Sequence, residues 1–154
     1  MTSSVTILLL DDEPLLRRAT ALILERHGAQ VTTAGTADEA VALTRARLYD
    51  VAVFDVSPPG PSVTEILRRI RAEGLLPRRS IAVSSTPLDR RETEELTVLI
   101  KPYPFESLLR AVLGAGAGAD QVRRRTRSGV FALAEGLTAR GSRGAARGGR
   151  SRGG

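Results

Sequence analysis

The sequence predicts an α/β domain built on a doubly wound, five-stranded parallel sheet with strand order 2-1-3-4-5. Three observations predict it. Apolar runs of strand length alternate five times with helix-period segments in the first 114 residues. The runs VTILLL and VAVF are continuously apolar instead of alternating, so both sheet faces must be covered. Helix start and stop signals stand between the runs where strand-to-helix units need them.

Taken in order, the strands are Val5–Leu10, Gln30–Thr33, Val51–Phe54, Ile81–Ser84 and Val98–Ile100. The helices between them are Pro14–Arg26, Ala37–Arg47, Val63–Glu73 and a short Asp89–Leu96, with Phe105–Leu113 closing the series. Thr36 with Glu39, and Ser62 with Glu65, have the spacing of capping boxes, in which hydroxyl and carboxylate satisfy orphan amides. Gly28 and Gly74 stand where helices should stop. His27, the single histidine, complements the dipole at the end of the first helix.

Charge divides the chain. Residues 1–114 carry 14 Lys+Arg against 15 Asp+Glu, whereas residues 115–154 carry 9 Arg against 2 acids. The formal charge of +6 therefore belongs to the tail. That tail holds 10 glycines in 40 residues, and such a composition buries too little apolar surface to offset its ordering entropy. The expected organisation is a folded domain over 1–114 and a disordered, Arg/Gly-rich flexible tail over 115–154. Within the tail, Val130, Leu133, Ala134 and Leu137 have helical spacing, enough for one short docking helix. The chain has no cysteine, which excludes disulfides and Cys-based zinc sites. The first apolar run is six residues, too short for a membrane span or a signal core, so the expected location is cytoplasmic.

Ligands of doubly wound sheets bind outside the carboxyl ends of the strands. After the first strand come Asp11 and Asp12, followed by Glu13; after the third comes Asp55; Ser84 ends the fourth; Lys101 follows the fifth. In the order 2-1-3-4-5 these stand on consecutive neighbours about 4.8 Å apart. Carboxylates that close repel by about 4 kcal/mol per pair at ~4 Å and an effective dielectric of ~20. A hard divalent cation, Mg²⁺ above all, is the expected compensation where only oxygen donors are offered. Carboxylate, cation, hydroxyl and amine in one row suit phosphoryl transfer, with Asp55 as the nucleophile. Lys101 is the one lysine among 23 basic residues, which indicates that a point charge is wanted there.

The stretches ILLLDDEP, VAVFDVSPPGPSVTEILRRIR, IAVSS and IKPYPFESLLRAVL, in that order, make residues 5–113 resemble the receiver domain of bacterial two-component response regulators. The 43 residues from Asp12 to Asp55 are the separation expected of such domains. The resemblance implies a flavodoxin-like fold and a single-domain phosphorelay protein. Asp55 would accept a phosphoryl group from a sensor histidine kinase or phosphotransfer protein. Asp12 would bind Mg²⁺ directly, Asp11 directly or through water, Asp55 itself would ligate it, and the Ser57 carbonyl would add a ligand. Ser84 would be the switch hydroxyl and Lys101 its cationic partner, with a cis bond before Pro102. Autodephosphorylation is the only turnover implied.

Three departures bear on output. The family commonly has Met-Pro-Gly-Met-Asp-Gly after the acceptor; here the chain reads Pro58, Pro59, Gly60, Pro61, Ser62, Val63. Val63 takes the place of the motif's last glycine, so that loop must avoid positive φ or be strained there. Val98 stands at the aromatic switch position, and only 17 residues separate Ser84 from Lys101, which shortens the fourth helix. The expected signal is therefore a local change around the loops after strands three and four. Two alternatives remain open: a pseudo-receiver that binds partners without phosphorylation, favoured by the altered loop, and a nucleic-acid-binding regulator acting through the basic tail. Five aromatic residues in the whole chain argue against base stacking. A phosphatase of the haloacid-dehalogenase type needs Asp-x-Asp after the first strand, and this chain has Asp-Asp-Glu-Pro.

Overall fold

The computed structural model describes residues 3–114. The elements run β1 (Thr6–Leu10), α1 (Pro14–Arg26), β2 (Gln30–Ala34), α2 (Ala37–Ala46), β3 (Val51–Asp55), α3 (Val63–Glu73), β4 (Arg79–Ser84), α4 (Arg90–Thr93), β5 (Thr97–Ile100) and α5 (Phe105–Leu113). All strands are parallel and the sheet order is β2-β1-β3-β4-β5, as the sequence predicts. The predicted tail over 115–154, its docking helix included, lies outside the described residues.

Side chains of successive strand residues point to opposite faces, so the continuous apolar runs feed two cores. Ile7, Leu9, Val51, Val53, Ile81 and Val83 pack with Leu24 of α1 and Leu108 and Val112 of α5. Leu8, Leu10, Ala52, Phe54 and Ala82 pack with Val41 of α2 and Ile66 and Ile70 of α3. Each fully buried Leu, Ile, Val or Phe contributes roughly 1.5–3 kcal/mol. α4 is a single four-residue turn with no buried residue, capped by the Asp89 side chain on the Arg91 amide at 2.9 Å. β5 is correspondingly only half-buried along its length.

Local signals mostly act as predicted. The Thr36 hydroxyl accepts the Glu39 amide at 3.2 Å, and the Glu39 carboxylate takes the Gly35 amide at 2.7 Å, one residue earlier than a standard box. Ser62 caps the Glu65 amide at 3.2 Å, but the Glu65 carboxylate turns to Arg68 instead of closing the box. His27 Nδ1 lies 2.8 Å from the Ile23 carbonyl at the end of α1. Gly28 has φ of +90°, the left-handed stop expected of it. Gly74 ends α3 for a different reason. Its backbone is extended, and a Cβ there would collide with the Thr44 hydroxyl of α2.

Candidate functional site

The register decides which strand ends meet. Leu10 pairs with Phe54, Asp55 with Val83, and Ser84 with Ile100. Backbone bonds carry the pairing just past the strands: Asp11 N–H to the Ala34 carbonyl at 3.1 Å, Val56 N–H to Val83 at 2.8 Å, and Lys101 N–H to Ser84 at 2.9 Å. Asp11, Asp55, Ser84 and Lys101 therefore line one rim, as the sequence predicts.

Across that rim the Lys101 ammonium forms an ion pair with Asp55 Oδ2, reaching over from β5 to β3. Asp55 Oδ1 accepts the Ser57 amide at 3.0 Å. Burial pushes the Asp55 carboxyl up, but the hydrogen bonds from Lys101 and from the Ser57 hydroxyl and amide together outweigh it and hold Asp55 below the usual carboxylate range. Burial also pulls Lys101 down, and Asp55 more than restores it, so the ammonium is held above its usual range.

Asp11 is only 5% exposed. Its Oδ1 accepts the Glu13 amide at 2.9 Å, but burial, with the nearby Asp55 and Asp12 charges, raises its carboxyl above the usual range. Asp12 and Glu13 are exposed. Among the described residues no three Asp, Glu, His or Cys side chains converge closely enough to hold a metal ion as they stand. Asp55 Oδ2 is instead engaged by Lys101. The donors near Asp55 are nonetheless hard oxygens: the buried Asp11 carboxyl, exposed Asp12, and the Ser57 carbonyl. That chemistry fits Mg²⁺.

Ser84 is fully buried, and its hydroxyl accepts the Thr86 amide at 3.1 Å. Beyond Asp55 the chain turns through Pro58 and Pro59, joined by a cis peptide bond, with Gly60 N–H on the Ser57 carbonyl at 3.3 Å. Gly60 stays out of the left-handed region. The Lys101–Pro102 bond is cis, as the resemblance implies.

Two further residues belong to the site that sequence reasoning missed. Arg17 Nη1 donates to the Asp11 carbonyl at 2.6 Å, buttressing the acidic loop from α1. Tyr103, half-buried, helps line a cavity of about 40 Å³ beneath Asp11, Asp55 and Lys101. The position of Tyr103 two residues after Lys101 was the available signal for the second; for Arg17, one of many arginines, there was none.

The model of the response regulator receiver domain matches residues 7–112. Transcriptional regulatory protein AfsQ1 of Streptomyces coelicolor is 31% identical over 117 residues, 72% of this chain and 52% of its own. The chain spans about half the length, or less, of the curated relatives it matches. Among solved structures, a receiver domain from Methylobacillus flagellatus superposes with a TM-score of 0.64 at 22% identity, covering 73% of this chain and 98% of that one. A response regulator from Burkholderia pseudomallei, solved with a phosphorylated aspartic acid, calcium and citrate, superposes at 0.61 with 20% identity, covering 80% and 73%. Both structures share the fold described above.

Proposed function

The chain belongs to the response regulator receiver domain family of two-component systems, and from that premise we propose that Asp55 is its phosphoryl acceptor. The observation that carries this is the Lys101–Asp55 ion pair, which sets a cation against a carboxylate whose neighbouring strand ends carry the buried Ser84 and Asp11. An Asp55 oxygen attacks the phosphorus of a phosphohistidine on a sensor histidine kinase or phosphotransfer protein. The P–N bond breaks, its electron pair stays on the imidazole, and Asp55 becomes an acyl phosphate.

A carboxylate held ionised is a competent nucleophile, and Lys101 and Ser57 keep Asp55 ionised. Lys101 then transfers its ammonium from the carboxylate to the phosphoryl oxygens, where charge gathers. Ser84 offers a hydroxyl from the adjacent strand end. Asp11, Asp12, Asp55 and the Ser57 carbonyl are the residues that would hold Mg²⁺. When bound, it neutralises the carboxylates and the phosphoryl oxygens together. Downstream output through a protein partner follows from the same reading.

Acetyl phosphate with Mg²⁺ tests it. One phosphoryl group, labile to hydroxylamine, is expected on the wild-type chain and none on Asp55→Asn, by intact mass. Absence of uptake by the wild type identifies a pseudo-receiver, the reading that the proline-rich loop after Asp55 favours.

A further inference from the structure

Arg17 and Gly35 share a contact that neither residue explains alone. Arg17, half-buried in α1, donates from Nη1 to the Asp11 carbonyl at 2.6 Å. A Cβ on Gly35 would stand 2.8 Å from that nitrogen and 3.3 Å from Cζ. Gly35 lies outside the left-handed region, so its backbone conformation does not require glycine. The guanidinium does. The Glu39 carboxylate takes the Gly35 amide at 2.7 Å and holds that side of the slot. Asp11 is bonded at three points: its amide to the Ala34 carbonyl at 3.1 Å, its Oδ1 to the Glu13 amide at 2.9 Å, and its carbonyl to Arg17. The last bond has an ionised donor, which makes it about twice as strong as a neutral one. It falls on the peptide that joins Asp11 to Asp12.

We infer that Arg17 is a positioning residue that sets the Asp11–Asp12 peptide for cation binding, and that Gly35 is small so that the guanidinium can seat. Asp11 is buried and Asp12 is exposed, so Asp12 depends on its backbone for its place. A loop fixed before the cation arrives has less freedom left to lose on binding. The Arg17 charge acts the other way, because it repels a second cation. The two effects differ in sign: positioning makes Arg17 a help to Mg²⁺, whereas charge alone makes it a hindrance. Gly35 separates them as well. A methyl group there meets the far end of a flexible side chain, so the guanidinium is pushed off the carbonyl while its charge stays nearby.

The inference rests on the reading of Asp11 and Asp12 as holders of Mg²⁺, and its test on the full-length chain has a metal-free arm and a metal arm. The first readout is the nitrogen chemical shift of the Asp12 amide without metal, since a hydrogen bond on the Asp11 carbonyl draws electron density from that nitrogen. Arg17→Met and Gly35→Ala should each move it upfield. The double variant should move it no farther than Arg17→Met alone, because the methyl group then has no guanidinium to displace. Additive shifts would overturn the pairing. The second readout is Mg²⁺ affinity by titration. Each single variant should lose on the order of tenfold, the low end for a residue that holds a metal ligand from behind, and the double variant no more. Amides of Thr6 and Asp50, at the far end of the sheet, report that each variant is folded. Tighter binding by Arg17→Met, with Gly35→Ala unchanged, would show that charge alone acts and overturn the inference. Unchanged affinity in both would overturn it and leave the metal reading standing, whereas no Mg²⁺ uptake by the wild type would overturn both.

Discussion

At the amino ends of the strands, Asp50 Oδ2 accepts the Thr6 amide and the Thr6 hydroxyl, both at 2.9 Å. The Asp50 amide in turn donates to the Thr6 hydroxyl oxygen at 3.0 Å, and Arg78 lies 3.5 Å from Oδ1. The Thr6 amide hydrogen bond is the main reason that the Asp50 carboxyl is held below its usual range. At the carboxyl ends, Asp11 is more deeply buried, has the Glu13 amide, and is raised instead. One rim satisfies its carboxylate chiefly with the Thr6 donors, with Arg78 beside it, and gains stability. The other spends Lys101 on Asp55 and leaves the buried Asp11 with no ion pair among the described residues, the condition under which a further cation finds a use.

Four substitutions probe that contrast, beginning with the largest effect. Lys101→Met removes the cation shared by Asp55 and the incoming phosphoryl group. It should slow phosphoryl uptake on the order of a hundredfold, the usual loss for one preorganised electrostatic contact, with little change in urea midpoint. Comparable losses of uptake and stability would mean that the lysine is a strut of the carboxyl rim instead of part of its chemistry.

Gly74→Ala places a methyl group against the Thr44 hydroxyl and backbone, at the α2–α3 contact. Overpacking of that kind destabilises by about 1–3 kcal/mol. Uptake at Asp55, measured well below the unfolding midpoint, should be unchanged. An unaltered midpoint would show that α2 and α3 separate freely there.

Thr6→Val keeps the strand but removes the hydroxyl from Asp50, and should destabilise by about 1–2 kcal/mol at neutral pH. The pH dependence has a definite sign. A carboxyl lowered in the folded state stabilises above its unfolded pKa, near 3.9, and that stability is lost as pH falls through the folded value. The difference between Thr6→Val and wild type should therefore shrink in acid; a difference independent of pH would locate the effect in packing alone.

Asp11→Asn is the smallest and runs the other way. A carboxyl raised on folding favours the native state below its unfolded pKa, and that advantage is lost as pH rises through the folded value. Removing the charge should raise the urea midpoint modestly at neutral pH while weakening Mg²⁺ binding, followed by titration. Destabilisation at neutral pH would show that both rims use their carboxylates alike.

Much of this was legible in the chain itself. VTILLL and VAVF announced two-faced strands, the segments between them announced helices, and the alternation called for a doubly wound parallel sheet. Because ligands of such sheets sit at strand carboxyl ends, Asp11, Asp55, Ser84 and Lys101 could be aligned before any distance was known. Strand-end placement is a local property: it needs only the run and the residue that follows. The tertiary structure decided what each group does with its neighbours. Thr6 and Asp50 are 44 residues apart, Ser57 and Ser85 28 apart, and Gly74 meets Thr44 across two helices. Gly74 reads as a helix stop in one dimension and is a close approach in three. Hydrogen bonds act over about 3 Å, so which hydroxyl finds which amide depends on register, loop path and rotamer. None of these is encoded in the spacing of residue types along the chain.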